Sequence, residues 1–248
     1  LGLQGGNVAY FTVIFIVSFL IFFHELGHYL MARAVGIPVA RFSVGMGRSL
    51  WSFQRGETEY RISMIPLGGY VLPKIDSEET FLEISPIRRI IFAAGGPLAN
   101  VLLAGILFAC LNVAQAGFSL SAVFTTPLWQ TAIAFGEVAK SYASLFSSSG
   151  ELSGIVGIVA QGGDYVGNSF FLGTRFAVVM SLNLAILNLI PLPPLDGGKI
   201  ILFLMEMIHT SASRLQLPLN LAGVVLLLGV IGYATLMDVK RILVSLFA

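Results

Sequence analysis

The sequence predicts a membrane all-α fold: about four transmembrane helices with one small cytoplasmic, membrane-associated β-hairpin or sheet. Three observations predict it. Of 248 residues, 56% are hydrophobic and only 11% are charged, whereas soluble domains carry about 25% charged residues. The apolar residues gather into four runs, each near the ~20 residues needed to cross ~30 Å of hydrocarbon. The basic residues concentrate between the first two runs. A single domain over residues 1–248 is expected.

The first span is read over about Val8–Ala32. No basic segment precedes Val8–Phe23 and no small-residue cleavage pattern follows it. It therefore reads as a retained helix and not as a removed signal peptide. The second span is about Ile90–Ala116, after Arg88-Arg89. The third, about Phe170–Ile201, is interrupted by Pro191, Pro193 and Pro194, and the fourth is about Pro218–Met237. Between spans one and two, Phe42–Phe53 and the alternating Glu57–Ser63 flank the turn signal Arg55-Gly56. Gly68-Gly69 is expected to end this hairpin, so that residues 42–71 form a sheet hugging the membrane face. A solvated hairpin without a role is the competing reading. Pro127–Phe146 has the pattern of an amphipathic helix on the outer interface. Ser147–Gly150 and the glycines at 154, 157, 162 and 163 read as a flexible link.

Charge sets the orientation. Arg33, Arg41, Arg48, Arg55, Arg61, Lys74, Arg88 and Arg89 fall between spans one and two, but only Lys140 falls between spans two and three. The positive-inside rule then places the first loop, and the end of span one, on the cytoplasmic side. A net charge of +1 with no basic stripe among aromatics gives no sign of nucleic acid as a partner. The lone Cys110 excludes an internal disulfide, and no Walker or GxGxxG pattern is present. Oligomeric state is not legible.

The chemistry sits at the end of the first span. His24-Glu25-Leu26-Gly27-His28 spends two of the three histidines in the chain at the end of the uncharged apolar run Val8–Phe23. On a helix, residues four apart share a face, so both imidazoles can grip one ion with Glu25 beside it. Ionisable groups inside a membrane are functional candidates by default. Zinc catalysis uses three protein ligands and one open position, and the candidate third ligand is Asp196. It follows three prolines whose freed backbone groups are tolerated at membrane depth only against protein or a cavity. The competing reading of Asp196 is the N-cap of a helix starting at Gly197. With one Zn²⁺ on His24, His28 and Asp196, Glu25 would take a proton from the attacking water and pass it to the leaving amine. A helical substrate must unwind before it is cut, and an edge strand can satisfy its freed backbone by β-addition. The Glu57–Ser63 hairpin, through Arg61 and Ile62, or a neighbouring strand, is the expected partner.

His24–His28 with the distant Leu195-Asp196-Gly197 resembles the site-2 protease family of intramembrane zinc metalloproteases. Gly95-Gly96-Pro97-Leu98-Ala99-Asn100, Pro66–Val71 and Asn183–Asn188 are similar to its bacterial RseP-like branch. The resemblance implies a zinc metalloendopeptidase of the bacterial inner membrane, with its active site toward the cytoplasm. Its partners would be the bilayer and single-span membrane proteins, such as anti-sigma factors or signal-peptide remnants already cut once elsewhere. It also implies that Asn183 and Asn188 contact substrate, although packing between helices explains such asparagines equally well. Two departures stand out: Gly117–Glu151 is too short for the PDZ domain usual in that branch, and Ser153-Gly154-Ile155 replaces a Ser-Gly-Pro segment. Two alternatives remain, a membrane metal transporter or sensor, and a membrane-anchored zincin acting on soluble segments.

Overall fold

A computed structural model of the chain describes residues 7–75, 80, 83–145, 155–167, 169–209 and 214–247. In order, the elements are helix α1 (Asn7–Ala34), strands β1 (Val39–Arg55) and β2 (Thr58–Pro73), then helices α2 (Pro86–Ala116), α3 (Thr126–Leu145, led in by a π-turn over Ser121–Thr125), α4 (Ile155–Val166), α5 (Phe170–Leu189), α6 (Asp196–Ile208) and α7 (Gln216–Phe247). Four helical stretches are long and apolar enough to cross a membrane: Val8–Ala34, Pro86–Ala116, Phe170–Leu189 and Gln216–Lys240. The residues group into two compact units.

One unit comprises Ser18–Leu103 and Asn183–Gly223. Here α1 stops at Gly36, whose positive φ of 70° suits the left-handed position after a helix. Gly36 N–H donates to Arg33 O and Ile37 N–H to Ala32 O, which is a Schellman closure. The Arg88 guanidinium donates to the next two carbonyls, Val35 O at 2.6 Å and Gly36 O at 2.7 Å. That role explains why α2 begins at Pro86, earlier than the expected Ile90. Proline is well suited to the first helical position, and both arginines after it find partners. Arg89, fully buried, pairs with Glu206 at 2.6 Å and lies over the Phe203 ring.

β1 and β2 form a small antiparallel sheet turned at Gly56 (φ 62°). Both strands bend, so the start of β1 has neighbours on two sides. Phe42 faces Tyr60 on one side and Val71 on the other, and Val44 faces Ile62 and Gly69. Contrary to expectation, β2 does not stop at Gly68-Gly69 but runs on to Pro73. Tyr29, Ala32, Ile37, Val39 and Phe42 form the buried cluster that joins the sheet to α1. Leu50, Trp51, Phe53, Ile62, Met64 and Ile65 stay exposed, an apolar surface that fits a sheet against lipid better than a solvated hairpin.

The third span is also corrected. Helix α5 ends at Leu189 and a separate helix starts at Asp196, because the prolines between them remove helical donors and clash with a continuing turn. Gly197 and Gly198 let the first turn of α6 lie directly on the backbone of Leu189 and of Leu192-Pro193, where a Cβ would collide.

The other unit comprises Leu1–Val17, Ala104–Leu182 and Val224–Ala248. The expected amphipathic helix is α3. The expected link around glycines 157, 162 and 163 is helix α4 instead. Its glycines make room for neighbours: a Cβ at 157 would lie 2.8 Å from Asp238 Oδ1, and one at 162 would lie 2.9 Å from the Phe176 ring. The buried Asp238 carboxylate accepts the Gly157 N–H at 2.8 Å in the first turn of α4, where a helix favours negative charge. Ser147–Gly150, Glu151 and Ser153-Gly154 lie outside the described residues.

Candidate metal centre

Three side chains from two distant parts of the sequence converge in the first unit. His24 and His28 lie one helical turn apart on α1, and Asp196 is the first residue of α6. His24 Nε2 and His28 Nε2 are 3.2 Å apart, and Asp196 Oδ2 lies 3.2 Å from the first and 3.1 Å from the second. All three residues are buried. Donors at ~2.05 Å around a tetrahedral zinc ion stand about 3.3 Å from one another. The triangle therefore has the size and the N, N, O chemistry of three corners of such a site. The position of Asp196 inside the helix also removes the N-cap reading: the cap is Leu195, which makes no side-chain cap bond.

The surroundings set the orientation of each ligand. His28 Nδ1–H donates to Phe92 O at 2.8 Å, which leaves Nε2 with its lone pair toward the other donors. The Asn100 amide, fully buried on α2, lies 3.3 Å from His24 Nδ1. Turned about its last torsion, that amide offers its oxygen to an Nδ1–H. Lys199 Nζ reaches Asp196 Oδ1 at 3.2 Å, one turn along α6, so that Oδ2 alone faces the imidazoles.

Glycine allows the close approach that assembles the site. Gly27 of α1 and Gly95 of α2 meet backbone to backbone, and a methyl on either would collide with the other's carbonyl. At Gly96 a Cβ would run into His28 Nε2 and would lie 2.6 Å from His24 Nε2. At Gly69 a Cβ would lie 2.8 Å from Glu25 Cγ, so the sheet is pressed against the residue next to the first ligand.

A cavity of about 670 Å³ opens onto the three donors and Glu25. Its sheet wall is Gly69–Pro73 with Met46 of β1, and Asn188, Gln216 and Asn220 also line it. Gly69–Leu72 pair with Arg41–Val44 on one edge, and no β1 or β2 residue pairs with them on the other. Arg61 and Ile62, the expected substrate contacts, are elsewhere. Arg61 is paired with both Ser43 and Ser52, and Ile62 with both Val44 and Trp51, so they lie inside the sheet and do not line the cavity. Asn188 lines it while its amide donates to Leu184 O at 3.0 Å; Asn183 is not among the lining residues.

Sequence reasoning placed His24, Glu25, His28 and Asp196 together, and so does the structure. In the sequence, Asn100 stands out only as part of the Gly95–Asn100 run, and nothing there by itself ties Phe92, Lys199, Gly69 or Gly96 to this centre. Two of these left a trace: a Gly-Gly-Pro run inside an apolar helix, and a lysine three residues after the acid.

The sequence pattern of the family described as Peptidase family M50 matches residues 12–230. A Campylobacter jejuni protein provisionally named a zinc metalloprotease is 26% identical, over 98% of this chain and 96% of its own length. That alignment runs over 358 positions, so the relative carries residues with no counterpart among the 248 here. Similarly named proteins of Neisseria meningitidis and Helicobacter pylori are 40% and 36% identical. They match 38% and 40% of this chain, which cover 23% and 32% of their own lengths.

Proposed function

Because this chain belongs to peptidase family M50, we propose that it is a zinc metalloprotease that cuts single-span membrane proteins within the bilayer. The observation that carries this reading is the buried triangle of His24, His28 and Asp196, with Glu25 beside it on one cavity. Zn²⁺ held by those three residues would supply Lewis acidity to a water and to the scissile carbonyl.

The chain's own residues do the rest. Glu25 takes the proton of the attacking water and returns it to the leaving nitrogen. Phe92 O and Asn100 keep the imidazoles turned toward the centre, and Lys199 holds Asp196 by its second oxygen. The open edge of Gly69–Pro73 pairs with the unwound substrate, replacing the helical hydrogen bonds that the substrate gives up. Asn188, and Asn183 five residues earlier on α5, serve as further polar contacts for that strand. The substrates are remnants of the anti-sigma or signal-peptide type in a bacterial inner membrane, reached from the cytoplasmic side.

The test is metal analysis combined with cleavage of a panel of single-span peptides by the wild type and by Glu25→Gln. The variant should keep one zinc per chain and cut nothing. A variant that still cuts rejects Glu25 as the base, and a wild type that holds no zinc rejects the centre. N-methylation of alternate peptide nitrogens around the scissile bond should block cleavage at every second position. Uniform tolerance would reject strand pairing at Gly69–Pro73.

A further inference from the structure

We propose a second ligand site, for an anionic phospholipid headgroup, where the end of α1 meets the β1–β2 turn. A cavity of about 580 Å³ lies there, distinct from the one at the metal centre, and Tyr29, Arg33, Arg55, Glu57, Thr58 and Tyr60 are among the residues that line it.

Charge is the first argument. Most cations of this region are already matched. Arg41 and Arg61 share Glu59 at 2.7 and 2.9 Å, Lys74 pairs with Glu57 at 3.2 Å, and Arg89 pairs with Glu206. Arg88 is spent on the carbonyls that end α1. Of the other arginines from α1 through β2, Arg33, Arg48 and Arg55 have no described carboxylate within ion-pair distance, and two of these three face this one cavity. The charge of Glu57 in its wall is already met by Lys74. The Arg33 guanidinium touches only a neutral partner, donating to Tyr29 OH at 3.2 Å, and Tyr29 OH in turn meets Tyr60 OH. The wall thus presents net positive charge and hydroxyl groups, the donor set that takes a phosphate diester.

Position is the second argument, and it selects a lipid over a free phosphate. Arg33 stands in the last turn of a helix apolar enough to cross the membrane, the depth at which headgroups lie. An aromatic strip leads out of the cavity. Tyr60 stacks on Phe53 at 5.0 Å and 12°, and Phe53 meets Trp51 at 5.0 Å. Trp51 is 57% exposed and the adjacent Leu50 is 67% exposed. A phosphate held by Arg33 and Arg55 therefore has an apolar track for its acyl chains.

The experiment uses the full chain in a neutral detergent, with bound lipid counted by native mass spectrometry during titration with phosphatidylglycerol or phosphatidylcholine. Phosphatidylglycerol should bind more tightly, and Arg33→Gln with Arg55→Gln should weaken it about thirtyfold at low salt. Arg48→Gln, an exposed arginine outside the cavity, should leave binding unchanged, and all variants should keep the zinc content of the wild type. Equal binding by the double variant, an equal loss in Arg48→Gln, or equal affinity for phosphatidylcholine would each overturn the proposal. Competition by inorganic phosphate at the same concentration as the lipid would overturn the lipid assignment.

Discussion

Gly96→Ala probes the candidate metal centre without replacing any residue that carries a donor atom. Its added methyl would collide with His28 Nε2 and come within 2.6 Å of His24 Nε2 and Cε1. Carbon and nitrogen in van der Waals contact stand about 3.5 Å apart, so something must give. The methyl is fixed to a backbone already pressed against α1 through Gly27 and Gly95. The imidazoles, which border a cavity of about 670 Å³, have room to rotate instead. Rotation spoils the 3.1–3.2 Å triangle with Asp196. Overpacking of this kind costs about 1–3 kcal/mol, and with 1.4 kcal/mol per decade the zinc affinity should fall roughly fivefold to a hundredfold. Competition with a chromogenic chelator measures that affinity, and peptide cleavage should fall with zinc occupancy at limiting metal. Thermal unfolding of the metal-free variant in detergent should match that of the metal-free wild type, since rotated rings relieve the clash. Unchanged zinc affinity would refute the placement of Gly96 against the two ligands. A large loss of metal-free stability would show that the helices yield and not the rings.

Gly69→Ala should displace Glu25, whose Cγ would lie 2.8 Å from the new methyl. On the proposed role of Glu25 as base, peptide cleavage should fall about tenfold or more with zinc content unchanged, because proton transfer depends on placement of the base. Arg89→Met leaves the largely buried Glu206 carboxylate with only the Gln216 amide as partner and should cost about 3 kcal/mol in denaturant unfolding, with part of the loss recovered by adding Glu206→Leu. Hydrogen bonds from Arg61 and then Arg41 hold the Glu59 carboxyl below the ordinary glutamate range. A depressed folded value gives stabilisation that is present above the unfolded value and lost as pH falls through the folded one. Sheet amides should therefore keep their hydrogen-exchange protection at pH 5 and lose it below about pH 4.3, whereas Glu59→Gln should show no such loss.

What the sequence determined alone is whatever depends on composition and short spacing. The spans follow from runs of apolar residues, since hydrocarbon accepts no other long segment. The pairing of His24 with His28 follows from helical periodicity, which places residues four apart on one face before any tertiary contact exists. The turn at Arg55-Gly56 follows from the local chemistry of glycine. Asp196 was found by counting ligands, because two imidazoles leave a zinc site one short.

Only the tertiary structure decided which strand lines the cavity at His24, Glu25, His28 and Asp196. Alternation marked Glu57–Ser63 as a strand, but alternation is blind to which strand ends up at an edge. Arg61 and Ile62 gained neighbours on both sides, while among the described strands Gly69–Leu72 are paired on one edge only and line the cavity. The glycines show the same limit. Those at 157, 162 and 163 read as part of a link, but a glycine inside a helix and one in a loop look alike until the neighbour that needs its missing side chain is in place. For Gly157 that neighbour is Asp238, 81 residues away, and for Gly96 it is the histidine pair on another helix. Local pattern records what a segment prefers by itself. The space that a segment must leave for another is fixed only when the two are packed together.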